Sequence, residues 1–189
     1  MKMIQLRGTN ATGKTTAVRQ FVFRGGFCVR EMPNAGRQIE YHWNEERRIA
    51  VLGRYDKREC GGIDGYIEYR DELLDIIAKM MRTIRPEVII YEGIAMATTF
   101  KLAHDIAMLC KRTGYEFVAV CLEPPLEVAF ERLAGRNGGR PVNYMKVQEK
   151  WFSAARANEK LEAAGLHVVR FDTSRIPKED MWKIIEGVL

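Results

Sequence analysis

The eight residues from Gly8 to Thr15, Gly-Thr-Asn-Ala-Thr-Gly-Lys-Thr, set two glycines, a lysine and a hydroxyl at the spacing that cradles the phosphates of a nucleoside triphosphate. Gly8 and Gly13 permit backbone conformations that a side chain would block. The N–H groups of the loop, with Asn10, Ala11 and Thr12 between the glycines, can then turn inward around phosphate oxygens. Lys14 reaches the β- and γ-phosphates, the Thr15 hydroxyl ligates magnesium, and Thr16 completes the ATP-binding set. This reading leaves Lys14 exposed while the loop is empty. The flanks agree with it, because Met3-Ile4-Gln5-Leu6 reads as a buried strand and Ala17 to Phe21 as a helix.

Such loops serve GTPases, motor ATPases and kinases, so other residues must choose among them. No Asn-Lys-x-Asp base-specificity pattern and no Asp-x-x-Gly switch is present. Instead, Arg30 and Glu31 close one apolar run and Glu92 closes another, at the strand ends where open α/β sheets bind ligands. Two carboxylates there divide the labour: Glu31 accepts the proton of an attacking hydroxyl, and Glu92 holds magnesium or its waters. Arg132 and Arg136, four apart on a helical pattern, project from one face, and Arg140 follows the flexible pair Gly138-Gly139. That is the shape of a lid over about 132–143, whose arginine forks stabilise charge on a transferring phosphoryl group.

Short apolar runs alternate with longer helical patterns, which signals a parallel sheet covered on both faces. The pattern predicts strands near 2–7, 27–31, 87–92, 116–122 and 166–171. Helices are expected near 14–24, 67–83, 97–113, 125–136, 144–164 and 178–187. The segment 32–66 is glycine-rich and reads as a substrate-binding insertion, in which Ile49 to Tyr55 offers an extra strand and His42-Trp43 a core edge. The 189 residues, 47% apolar and 29% charged, suit one domain with a sizeable core. A net charge of +5 permits a polyanionic partner without demanding one. The four cysteines lack metal-ligand spacing, so reduced thiols in cytoplasm are expected, and no run is long enough to cross a bilayer.

Over most of its length the chain resembles the nucleoside and nucleotide kinase group, particularly thymidylate and deoxynucleoside kinases. The likeness rests on the phosphate loop, on Arg30-Glu31-Met32-Pro33, on Glu131-Arg132-Leu133 to Arg136, and on Phe171-Asp172-Thr173-Ser174, where those enzymes carry a strand ending beside adenine. The resemblance therefore implies nucleotide contacts from Arg132 and Thr173. Tyr91-Glu92-Gly93 departs from the acid-arginine pair found there in those families.

The segment from Leu52 to Tyr66 looks instead like the G-x-Y and G-G-x-D block of bacteriophage-type kinases, among them the 5-hydroxymethyluracil DNA kinases, which phosphorylate the base hydroxymethyl group within polymerised DNA. In physical terms Gly61-Gly62 permits close approach to a flat or phosphorylated ligand, while Tyr55 and Tyr66 offer stacking faces. Arg54, Lys57 and Arg58 offer phosphate contacts, joined in the substrate set by Arg30 and Arg37. Asp64 is a rival for the catalytic base.

The expectation is a three-layer α/β kinase domain over 1–189 with a parallel five-stranded sheet in order 2-3-1-4-5. It transfers the γ-phosphoryl group of ATP, with magnesium, to a hydroxyl. The first acceptor to consider is hydroxymethyluracil in phage DNA within the host cytoplasm. A free nucleoside or nucleotide comes second, and a switching ATPase without an acceptor third.

Overall fold

The computed structural model describes residues 1–55, 62–63, 70–93, 97–138 and 140–189. Its frame is a seven-stranded sheet: β1 (Lys2–Arg7), β2 (Cys28–Asn34), β3 (Arg37–Asn44), β4 (Ile49–Leu52), β5 (Val88–Glu92), β6 (Glu116–Leu122) and β7 (His167–Phe171). The helices are α1 (Lys14–Arg24), α2 (Arg70–Thr83), α3 (Phe100–Thr113), α4 (Leu126–Arg136), α5 (Tyr144–Ala163) and the short α6 (Lys183–Glu186). The helix expected over 178–187 is interrupted, with one 3-10 turn at Lys178–Asp180 before α6.

The strand order is β2-β3-β4-β5-β1-β6-β7. The five parallel strands expected in order 2-3-1-4-5 are thus corrected to a mixed sheet. Beside β5, where 27–31 was expected, lies β4, and Cys28–Asn34 is displaced to the far edge in antiparallel pairing with β3. The reason is burial: all four side chains of Ile49–Leu52 are buried, as an inner strand requires, whereas five of the seven residues of β2 are exposed. A two-residue turn joins β2 to β3, with Ala35 at φ 46° and Gly36 at φ 81°, the mirror-image geometry that matches strand twist.

Register decides what this hairpin can reach. Glu31 pairs with Glu40 in the row that also holds Glu92, and three more residue pairs, ending at Asn34 and Arg37, continue past it. At about 3.3 Å per residue the hairpin rises about 10 Å beyond the carboxyl edge of β5. It forms a wall at one end of that edge.

Alternation along β1 divides the core into two layers. Ile4 and Leu6 meet Ala17, Val18 and Phe21 of α1 and Ile184 and Ile185 of α6. Met3 faces the other way, toward Leu73, Ile76 and Ile77 of α2, Ile106 of α3 and Leu161 of α5. Each helix contributes one apolar stripe, as in α3, where Leu102, Ala103, Ile106, Ala107 and Cys110 are buried. In this layer burial pushes the Cys110 and Cys121 thiols up to about 12, which makes them unreactive. No helix among the described residues is long and apolar enough to cross a membrane.

Tyr55, expected as a stacking face, belongs to the α1-side core and is 0% exposed. Its ring lies tilted on His42 at 5.7 Å, and its backbone N–H donates to His42 Nε2 at 3.2 Å. A side chain so enclosed fills volume and presents no face to a base.

Two measurements check this architecture. Amides of Ile49–Leu52 should exchange hydrogen as slowly as those of β1 and β5, with the outward amides of Cys28–Asn34 far faster; equal protection would restore 27–31 to the sheet interior. Tyr55→Ala should cost about 3–5 kcal/mol in denaturant unfolding, as for other buried aromatics, while Tyr55→Phe costs under about 1 kcal/mol and leaves the acceptor KM unchanged.

Candidate active site

Between β1 and α1 the phosphate loop has left-handed backbone at Ala11 (φ 61°) and Gly13 (φ 101°). Gly8 lies so close to its surroundings that a Cβ there would fall 2.7 Å from the Leu122 carbonyl oxygen. Lys14, expected to be exposed, is only 4% exposed, and its ammonium donates to the carbonyls of Gly8 and Thr9 at 2.8 Å each. A buried ammonium must find acceptors, and the loop's own carbonyls supply them where phosphate oxygens would otherwise stand.

The Thr15 hydroxyl donates to Glu92 Oε1 at 2.7 Å. Parallel pairing of β1 with β5, Leu6 beside Glu92, brings this carboxylate to the loop. Glu92 is 2% exposed, and the chain at 62–63 closes over it. The Ile63 N–H donates to the Glu92 carbonyl at 3.1 Å, and a Cβ on Gly62 (φ +94°) would lie 2.8 Å from Glu92 Oε1. The close approach that Gly62 permits is therefore to Glu92. A hydroxyl and a carboxylate side by side are hard oxygen donors, the kind that magnesium takes together with substrate phosphates. Among the described residues no group of three or more histidine, cysteine, aspartate or glutamate side chains could hold a metal by itself.

On the α1 side the loop opens into a cleft of about 550 Å³ lined by Ala11, Gly13, Thr15, Thr16, Arg19, Arg132, Arg136, Ile176, Lys178 and Met181. The i, i+4 spacing does put Arg132 and Arg136 on one wall. Arg132 donates to the Thr173 hydroxyl (3.1 Å) and carbonyl (2.9 Å), and the Thr173 hydroxyl donates to the Thr12 carbonyl at 3.0 Å. Thr173 is fully buried, so it braces the loop against α4. Arg19, Ile176, Lys178 and Met181 were missed by sequence reasoning; Arg19, five residues after Lys14 on the helix that opens the loop, carried the one available signal.

The structure does not bring Glu31 to the loop. It is exposed on β2, and β3, β4 and β5 intervene before β1, four spacings or about 19 Å. Arg30 lies over the Trp43 ring at 5.8 Å and pairs with Glu45 at 2.7 Å, Arg37 pairs with Glu72, and Arg54 pairs with Glu40 at 2.9 Å. Hydrogen bonding from Trp43 and the charge of Arg30 hold the Glu45 carboxyl below its ordinary pKa. Gly61 and Asp64, with Lys57, Arg58 and Tyr66, lie outside the described residues, as does Gly139 of the expected lid.

Behind the loop is a buried charge that the sequence did not announce. Arg7, fully buried, donates to Asn158 Oδ1 (2.7 Å), Gln5 Oε1 (2.8 Å) and the Ala97 carbonyl (2.6 Å). Asn158 Nδ2 donates onward to Glu123 Oε1 at 2.8 Å, and Glu123 pairs with Arg170. Burial pulls the Arg7 pKa below its ordinary value and raises that of Tyr91 well above it. Gln5 Nε2 and the Tyr91 hydroxyl, neighbours in one row, are buried with no hydrogen-bond partner among the described residues.

Comparison with known proteins identifies the family. The family model described as 5-hmdU DNA kinase matches residues 28–164. Two similar proteins bear the name 5-hmdU DNA kinase. That of Pseudomonas phage PaMx11 is 25% identical over 181 residues, 90% of either chain, and that of Pseudomonas phage M6 is 27% identical over 171 residues, 87% of this chain and 88% of its own. Among solved structures, the tunicamycin resistance protein of Deinococcus radiodurans superposes with a TM-score of 0.50 at 15% identity, covering 99% of this chain and 95% of its own, which shows the fold alone. With a family match spanning well over half of its residues, the chain belongs to the 5-hmdU DNA kinase family and is a kinase.

Proposed function

We propose that this protein transfers the γ-phosphoryl group of ATP to the 5-hydroxymethyl oxygen of hydroxymethyluracil within phage DNA. Membership in the family carries the reading, and the Thr15–Glu92 pair beside the phosphate loop supports it. The hydroxymethyl oxygen attacks the γ-phosphorus, the bond to the bridging oxygen of ADP breaks, and the hydroxyl proton passes to a carboxylate. Lys14, held on the Gly8 and Thr9 carbonyls of the loop, turns from them to the triphosphate. Arg132 and Arg136, on the cleft wall, meet the charge that develops on the transferring group. Glu92 and Thr15 are the residues that hold magnesium, which when bound neutralises the phosphate charge.

For the proton we assign Asp64 in place of Glu31. Asp64 follows Ile63, whose N–H is fastened to the Glu92 carbonyl, whereas Glu31 stands four strand spacings from β1. The 5-hydroxymethyl group projects into the major groove of a duplex, and drawing its nucleotide further into a site by extrusion, where that happens, costs a few kcal/mol.

Three substitutions test the roles. Lys14→Ala should abolish transfer while the protein remains folded, and Asp64→Asn should lower turnover by roughly 10² to 10⁴ with ATP affinity retained. Glu31→Gln should leave turnover within about twofold of the parent. A large turnover defect in Glu31→Gln with none in Asp64→Asn would return the proton to Glu31. The acceptor is tested with labelled ATP offered alongside hydroxymethyluracil DNA, unmodified DNA, free nucleosides and their monophosphates. Label confined to the modified DNA is the expected result. Label on a free nucleoside or monophosphate with none on DNA, or hydrolysis with every acceptor unlabelled, would overturn it.

A further inference from the structure

At the carboxyl ends of β4 and β5 the chain grips the sheet from both faces. Tyr55 is packed in the layer of α1, whereas Ile63, 0% exposed, is packed in the layer that holds Leu73 and Ile76 of α2. Two glycines meet between these anchors. Gly53, the residue after β4, has φ 126°, and Gly62 has φ 94°. A Cβ on Gly53 would lie 3.0 Å from both the Cα and the N of Gly62, so the two backbones touch with no side chain between them.

Glu92 lies against this crossing. The three atoms nearest to a Cβ on Gly62 all belong to it: Oε1 at 2.8 Å, the carbonyl oxygen at 2.9 Å and Cδ at 3.0 Å. Ordinary contact begins near 3.4 Å, so a side chain at 62 must push the carboxylate away or lift the backbone. Lifting is resisted, because the Ile63 N–H is fastened to the Glu92 carbonyl and the Ile63 side chain is seated in the core. The oxygen that would be displaced, Oε1, is the one that accepts from the Thr15 hydroxyl at 2.7 Å.

We propose that Gly62, backed by Gly53, is a positioning residue for magnesium: its bare backbone is the stop that sets Glu92 Oε1 against Thr15. The inference rests on the assignment of Thr15 and Glu92 to magnesium made above. A magnesium site demands near-ideal octahedral geometry, and a functional constellation tolerates only about 0.5 Å of misplacement. A carboxylate pushed by several tenths of an ångström therefore loses much of its hold on the ion, whatever acceptor is bound. Gly53 acts one step further back, since a side chain there presses on Gly62 and not on Glu92.

The test measures ADP affinity by calorimetry with Mg2+ and with EDTA; the ratio of the two affinities is the contribution of the metal. Mg2+ should tighten ADP binding by the parent. Gly62→Ala should cut that ratio roughly tenfold, as loss of a group that orients a metal ligand does, with metal-free ADP affinity unchanged. Gly53→Ala should act in the same direction. With alanine already at 92, Gly62→Ala should have no further effect on the ratio, because the residue through which it acts is gone. Gly165→Ala controls for backbone strain: φ there is 75° and nothing lies within 4 Å of the added Cβ, so the melting temperature should fall and the ratio stay. In the parent, the Ile63 amide should exchange hydrogen more slowly with Mg2+ and ADP than with ADP alone, a readout that needs no variant to fold. A parent ratio of one, or a parent-like ratio in Glu92→Ala, would overturn the magnesium assignment and this inference with it. A ratio reduced in Glu92→Ala but intact in Gly62→Ala would overturn the positioning role alone. So would a Gly62→Ala loss that persists in the Glu92→Ala background, or an Ile63 amide indifferent to Mg2+.

Discussion

Everything that positions the chemistry depends on a guanidinium held in the protein interior. Removing a cation from water costs several kcal/mol unless its donors are met, and Arg7 meets them with oxygens from three separate places: β1 itself, the start of the chain leading into α3, and α5. The consequence is mechanical. Breaking any of these bonds strands a buried charge, so the end of β1, and with it Gly8 of the loop, is locked to α5 and to Ala97. Because Asn158 relays to Glu123, and Glu123 to Arg170, the same network reaches β7. The Gln5 amide and Tyr91 hydroxyl are buried beside it, neighbours in one row of the sheet.

The second fastening lies on the other face of the loop. Thr173 joins Arg132 to Thr12, and thereby ties α4 to the loop between β1 and α1. Braced from α5 on one side and α4 on the other, the loop is preorganised before nucleotide arrives. Lys14 is held within this setting by the Gly8 and Thr9 carbonyls.

What the sequence made legible was whatever depends on local spacing. The loop, its flanking strand and helix, and the Arg132–Arg136 pair all follow from short-range patterns that no tertiary contact overrides. The sheet order was misread because two stretches competed for one place: Cys28 to Glu31 and Ile49 to Leu52 are both short and apolar, and only burial of all four residues of the latter decides between them. Period-two alternation of Ile39, Tyr41 and Trp43 after an Ala-Gly turn signalled the antiparallel hairpin, and the displacement of Glu31 from the loop is its direct result. Tyr55 illustrates a different failure, since a tyrosine in a glycine-rich segment reads equally as a stacking face or a core plug, and its contact with His42 lies thirteen positions away. Arg7 was invisible for a related reason: a charge in a strand looks exposed until its acceptors, up to 151 positions distant, are known.

A small acceptor and a polymeric one ask different things of the same fold. A nucleoside is enclosed on every side and needs only a pocket, whereas a nucleotide within a strand has phosphates leading away in two directions, and the protein must leave both exits open. The rim of this sheet has that form. The β2–β3 hairpin rises at one end, α5 rises toward the other, and the hydrogen-bonded pair Thr15 and Glu92 lies low between them. The hairpin neutralises its arginines internally, with Arg30 on Glu45 and Arg37 on Glu72, while α5 leaves Lys146, Lys150 and Arg156 open to solvent. The two walls are therefore unequal: the arginines of one are met by its own and neighbouring carboxylates, whereas the other is a helix whose first turns carry exposed cations and carboxylates together.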